Sequence, residues 1–151
     1  MRRTVQKARM KVQPASRPAT NYSLGSTAAL VLGDLVALLL FAALGRSSHD
    51  RPPGAIPFVG VISTAAPFII GWFSVGAVLG AFKQSAVSSV RSAFLRAAGT
   101  WLVAGPVGLL LRALFLQRGI PLSFAVVVMS VNFVLLGAWR TLYTWLRAHL
   151  R

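Results

Sequence analysis

The sequence of 151 residues has no cysteine and no glutamate, and its two acidic residues are Asp34 and Asp50. The lack of cysteine excludes disulfide bonds, iron–sulfur clusters, thiolate zinc sites and cysteine nucleophiles. The sequence also has no glycine-rich phosphate loop followed by lysine, no HExxH motif and no paired carboxylates within one apolar run. We therefore predict a protein that is not an enzyme and has no metal site.

Charge is scarce overall, since charged residues make up 12% of the chain and hydrophobic residues 56%, with a mean hydropathy of +0.69. Soluble domains carry about 25% charged residues. Four long apolar runs predict membrane spans at about 26–45, 56–82, 93–116 and 122–146. The runs are apolar on nearly every face, whereas barrel strands alternate. The fold class predicted is an all-α integral membrane bundle of four transmembrane helices, formed by residues 25–151.

Residues 1–24 have a different composition, with six basic residues, several hydroxyls, two prolines and no acid. A segment of this kind is typical of an organelle transit peptide, and the alternative is a disordered cytoplasmic tail. The net charge of +14 does not indicate a nucleic-acid partner, because most basic residues flank the apolar runs.

The orientation of the spans follows from the lysines and arginines near their ends. Twelve of the sixteen lie on the side of the N-terminus and four on the other side. The positive-inside rule therefore predicts that both termini lie on the same side, facing the cytoplasm or stroma. Removal of residues 1–24 reduces the difference to six against four.

Asp34 is the most informative single residue, because it interrupts an otherwise apolar span. A carboxylate at the centre of a span costs about 2.5–3.5 kcal/mol on insertion scales, so it needs a partner or a function. Arg140 and Arg112 are the candidate partners in a structural ion pair, and Arg140 lies at a similar depth. The alternatives are a proton or ligand site and a contact with helix hydroxyls.

Other positions carry weaker signals. Arg46 and His49 form a polar turn after the first span, which is either an ordinary helix end or a contact for an anion or pigment. Glycines and prolines in the second and third spans predict helix kinks or close packing, with Gly76 and Gly80 as a small-residue pair for helix contact. These packing candidates are Pro67, Gly71, Trp72, Gly76, Gly80 and Pro106.

The segments LGDLVALLLFAALGRSSH, APFIIGW, WLVAGPVGLLLR and GIPLSFAVV occur in this order, and WR follows at Arg140. Together they resemble a family of small four-helix membrane proteins of actinobacteria, haloarchaea and photosynthetic lineages, which is catalogued as a domain of unknown function. The resemblance covers about Leu32 to Arg140. It implies a fold and a membrane location. Because residues 1–24 precede it, the chain is similar to a plastid-targeted member, in the thylakoid or inner envelope. A prokaryotic plasma membrane is the alternative.

Small size and short loops favour a non-enzymatic accessory or assembly subunit of a membrane complex. Its partners would be the lipid bilayer and either other membrane subunits or further copies of the chain. The alternatives are a small oligomeric carrier of protons, ions or a small solute that uses Asp34, and a pigment-binding subunit. No cofactor is predicted, with chlorophyll or lipid as the alternative. The surroundings of Asp34 distinguish these functions, since a carrier needs solvent access there.

Overall fold

The structure, a computed structural model, describes residues 24–47 and 57–150. These residues form four long helices and one short 3₁₀ turn at Gln84–Val87. The long helices are α1 (Leu24–Ser47), α2 (Pro57–Val78), α3 (Val90–Leu116) and α4 (Leu122–His149). Each is long and apolar enough to cross a membrane. The protein is therefore an all-helical integral membrane protein, as the hydropathy predicts, and it would sit in a lipid bilayer.

The helices are mostly longer than the predicted spans, because α3 and α4 continue past the apolar runs into polar residues. The second helix is the exception: the predicted span continues to residue 82, but α2 ends at Val78. Gly80, with φ of +68°, ends it. Ala81 N–H donates to the Gly76 carbonyl over 2.8 Å, and Gly80 N–H donates to the Ala77 carbonyl over 3.3 Å. These two bonds form a Schellman motif, which an L-residue with a side chain adopts at a cost.

The prediction that Gly76 and Gly80 form a face for helix–helix contact is therefore wrong. Gly80 lies in the turn after α2, and Gly76 faces the ring of Phe82 in the connection that follows. The sequence around Gly80 is apolar, so hydropathy did not predict this turn. Hydropathy reports how well side chains suit an apolar environment and does not report backbone conformation.

Each helix packs against the next one along the chain, and α4 packs against α1, so the bundle is closed. Helices α1 and α2 run antiparallel, because Asp34 of α1 contacts Trp72 of α2, whereas Phe41, later in α1, contacts Phe68, earlier in α2. The Phe41 and Phe68 rings meet edge to face, with their centroids 6.1 Å apart. Phe68 in turn lies 6.5 Å from Trp101 of α3. The bundle core is aromatic at its centre, where Phe68, Trp72 and Trp101 are fully buried.

Helices α2 and α3 approach each other closely at Gly71. A Cβ at this position would lie 2.9 Å from the Ala104 carbonyl oxygen, which is backbone and cannot move aside easily. Both helices contain proline, Pro67 in α2 and Pro106 in α3, and each helix continues through it. The prolines are accommodated within single helices, and Gly71 leaves room for the close approach of the two helices.

The outer surface of the bundle is apolar. On α1, for example, the side chains of Leu32, Val36, Leu40 and Leu44 recur every fourth residue and are 46–60% exposed. Such an apolar stripe would be unfavourable in water. In a membrane it is covered by lipid or by another membrane protein. The exterior is therefore unlike the polar surface of a soluble bundle, and the apolar core contains the buried ion pair described next.

Candidate functional site

The Asp34 cluster, which consists of Asp34, Trp72, Arg140 and the Ala81 carbonyl, lies inside the bundle. Asp34 is in α1 and Arg140 in α4, and both side chains have 0% of their surface exposed. Arg140 Nε donates to Asp34 Oδ1 over 3.1 Å, and Arg140 Nη2 donates to Asp34 Oδ2 over 2.6 Å. This two-point contact matches the planar guanidinium to the planar carboxylate, which is the strongest ion-pair geometry in proteins.

Trp72 of α2 adds a third hydrogen bond to the carboxylate. Its indole Nε1–H donates to Asp34 Oδ2 over 3.1 Å. The Trp72 ring also lies 5.0 Å from Arg140 Cζ, and the Phe82 ring lies 5.3 Å from the same atom. The aromatic rings therefore shield the guanidinium from lipid while offering it their negative faces.

The Ala81 carbonyl holds the remaining side of the guanidinium. Arg140 Nη1 donates to this oxygen over 2.6 Å. The oxygen is available because α2 has already ended, so it does not accept a bond in that helix. The Schellman turn at Gly80 thus has a second consequence, since it directs a backbone acceptor at the buried arginine.

Both charged groups of the cluster have hydrogen-bond partners. Asp34 accepts three hydrogen bonds, and each nitrogen of the Arg140 guanidinium donates at least one. Removing two charges from water is costly, and the cost is offset only where the partners satisfy each other this completely. The cluster joins α1, α2 and α4 around an ion pair that has no net charge. No part of Asp34 is exposed, so its carboxylate cannot exchange protons or ions with solvent in this structure.

Two other predicted site residues, Arg112 and Arg46, make their contacts outside the Asp34 cluster. The Arg112 guanidinium lies 4.6 Å above the Phe124 ring of α4. Arg46, at the end of α1, packs its guanidinium against Gly60 of α2. The structure thus pairs Asp34 with Arg140 rather than with Arg112. His49 lies outside the described residues, as do Asp50 and residues 1–23.

Two further contacts between α1 and α4 were not foreseen from the sequence. Trp139 Nε1 donates to the Leu30 carbonyl over 3.3 Å, and the Trp139 ring lies over Gly33. The Tyr143 hydroxyl donates to the Ser26 carbonyl. A signal was present, because Leu136, Arg140 and Tyr143 fall on one helical face and Trp139 borders it.

Asn132, like Trp139 and Tyr143, has a polar side chain whose role was not predicted from the sequence. It is fully buried, and its Nδ2 donates to the Val128 carbonyl of its own helix over 3.1 Å. Its Oδ1 is the one buried side-chain oxygen or nitrogen in the described residues that has no hydrogen-bond partner. An unsatisfied buried acceptor costs about 1–3 kcal/mol, so Asn132 weakens the core unless something binds there.

Comparison with known proteins identifies a family. No curated protein and no solved structure matches the chain. A family model described as "protein of unknown function (DUF3054)" matches residues 31–143, a range that contains Asp34, Trp72 and Arg140. Because this match covers most of the chain, the protein belongs to the DUF3054 family.

Proposed function

We propose that the protein is a non-enzymatic accessory or assembly subunit of a membrane complex. The observation that supports this is the closed Asp34 cluster. A carrier that uses a carboxylate must expose it in turn to each side of the membrane, whereas Asp34 is fully buried and holds three hydrogen bonds. The Asp34 carboxylate, the one acidic side chain in the described residues, is bound by Arg140 and Trp72. We therefore assign the function to the exposed outer surface of the bundle.

The exposed apolar faces supply the area that a protein partner needs. Helix association in membranes depends on close packing of such faces and not on burial from water. Each helix presents large side chains outward, such as Val36 of α1, Leu110 of α3 and Val134 of α4, which are 60–63% exposed. The partner is then another membrane subunit or a second copy of this chain.

The proposal is tested by site-specific photo-crosslinking in the native membrane. A photoreactive amino acid replaces Val36, Leu110 or Val134 in turn, and Leu38, which has 0% of its surface exposed, is the matched buried control. We expect one face to crosslink reproducibly to the same membrane protein and the Leu38 position to crosslink to none. The same protein should co-purify with the chain in mild detergent.

A chain that purifies alone, with no crosslink from any face, would contradict the accessory role. Proton or ion flux in vesicles containing the purified chain, abolished by Asp34→Asn, would establish the carrier instead. Chlorophyll retained through purification would favour the pigment-binding alternative.

We further propose a plastid location, in the thylakoid or inner envelope membrane. Its support is the basic, hydroxyl-bearing and acid-free composition of residues 1–24. Fusion of these residues to a fluorescent protein should direct the fusion into plastids, and the same fusion with the six basic residues changed to glutamine should stay in the cytosol. Cytosolic fluorescence of the unmodified fusion would favour a prokaryotic plasma membrane.

A further inference from the structure

Two arginines at the start of α3 line a groove on the surface of the bundle. Arg91 and Arg96 share this groove, of about 470 Å³, with Ser89, Ser92 and Leu95. A second groove of about 530 Å³ also includes Ser89 and extends to Thr144 and Arg147 of α4. The end of the bundle between α3 and α4 is therefore concave, cationic and rich in hydroxyl groups.

No acidic side chain in the described residues neutralises Arg91 or Arg96. Within residues 24–47 and 57–150 the one acidic side chain is Asp34, and it is buried against Arg140. Arg91 is exposed, and Arg96 donates one N–H to the Leu79 carbonyl over 3.3 Å. Within the described residues, the positive charge of Arg91 and Arg96 therefore has no acidic partner, and an anion could bind there.

The end of α3 itself is already capped, so the attraction comes from side chains. Ser89 Oγ accepts from the Ser92 N–H over 3.1 Å, and the Ser92 hydroxyl donates to the Ser85 carbonyl over 3.1 Å. These bonds hold the 3₁₀ turn against the first turn of α3. Ser89 and Ser92 line the groove, and the guanidinium groups supply its charge.

An apolar track continues from the groove along the same side of α3. Leu95 is 56% exposed and Leu102 is 60% exposed. Gly99 lies between them with open space where a Cβ would be. Residues spaced by three or four share one helix face. The face therefore has a cationic end followed by an exposed apolar surface with a notch at its centre.

We propose that this surface binds one anionic phospholipid. The headgroup phosphate lies between Arg91 and Arg96, and an acyl chain follows Leu95, Gly99 and Leu102. The combination of charge and apolar length favours a phospholipid over free phosphate, which would use only the cationic end. Basic pockets near the ends of membrane helices recognise anionic headgroups by the same chemistry. This binding is a property of the single chain and does not depend on a protein partner.

The test is native mass spectrometry of the full chain in mild detergent, titrated with dioleoyl phosphatidylglycerol. We expect Arg91→Gln to weaken binding about fivefold and the Arg91→Gln/Arg96→Gln pair to weaken it about 25-fold. Arg118→Gln removes an exposed arginine beyond the opposite end of α3 and is the matched control, with binding unchanged. If the double variant is less stable because Arg96→Gln removes the bond to the Leu79 carbonyl, the lipid affinity of Arg91→Gln alone tests the proposal.

Two further arms distinguish a lipid site from general attraction to charge. Gly99→Phe keeps the charge and fills the notch, so we expect it to weaken phosphatidylglycerol binding several-fold. Dioleoyl phosphatidylcholine, with no net charge, should bind at least tenfold more weakly. Equal binding of the two lipids, an unchanged affinity in Arg91→Gln, or equally tight binding of glycerol phosphate would each overturn the proposal.

Discussion

Asp34 and Arg140 are separated by 106 positions in the sequence, yet the carboxylate and the guanidinium meet at 2.6 Å in the centre of the bundle. The pair connects the first helix to the last, where aromatic side chains add further contacts. Because Trp72 and the Ala81 carbonyl also bind this pair, one buried contact depends on three helices and on the turn after α2. The pair therefore reports on whether the whole bundle has assembled.

Asp34→Ala should destabilise the protein by about 3–5 kcal/mol, because it leaves the buried Arg140 charge uncompensated. The Asp34→Ala/Arg140→Ala double variant should be markedly less destabilised than the sum of the two single variants. Thermal or denaturant unfolding in detergent, analysed as a double-mutant cycle, measures this coupling.

Arg112→Ala provides the control for that cycle. Since Arg112 lies over Phe124 and not against Asp34, its effect should add to that of Asp34→Ala. A coupling near zero between Asp34 and Arg140, or a large coupling to Arg112, would contradict the structural pair and make Asp34 a candidate functional carboxylate.

Gly71→Ala should destabilise the bundle by about 1–3 kcal/mol, because its new methyl group would press on the Ala104 carbonyl and separate α2 from α3. Gly99→Ala is the matched control, since it adds the same methyl group in open space and gains helix propensity. Unfolding in detergent compares the two variants. Equal stability of both would show that the two helices do not approach closely at Gly71.

Asn132→Leu should leave stability unchanged or raise it by about 1 kcal/mol, because a side chain of similar size replaces a buried acceptor that has no partner. Thermal unfolding of the purified chain is the measurement, with Thr144→Val as a comparison, since the buried Thr144 hydroxyl donates to the Arg140 carbonyl over 2.8 Å. If Asn132→Leu keeps its stability but removes a function, Oδ1 binds a group from outside the chain.

Single cysteines test the orientation, because the chain has no native cysteine. Gln84→Cys precedes α3 and Gly119→Cys follows it, and both positions are exposed. The distribution of lysine and arginine predicts that an impermeant thiol reagent labels position 119 in intact membranes and position 84 only after permeabilisation. The opposite pattern would reverse the predicted orientation.

The number and approximate position of the helices could be predicted from the sequence, because a lipid environment requires an apolar segment of sufficient length wherever the chain crosses it. This requirement acts on each segment separately, so no knowledge of packing is needed. The end of α2 was missed for the same reason: Gly80 and Ala81 satisfy the hydropathy of a span while the backbone turns.

The need for a partner at Asp34 was likewise present in the sequence, since a lone carboxylate in lipid is unfavourable wherever the helix lies. The choice of Arg140 over Arg112 belongs to the tertiary structure, because it depends on which helices are neighbours and how each is rotated. The same holds for Trp72 and the Ala81 carbonyl: Trp72 reaches Asp34 only when α2 packs against α1, and the Ala81 carbonyl reaches Arg140 only when the turn after α2 lies beside α4. The apolar runs and the position of Asp34 determined that this chain enters a membrane and that its buried carboxylate needs a partner. The packing of α1 against α2 and α4 decided which atoms supply it.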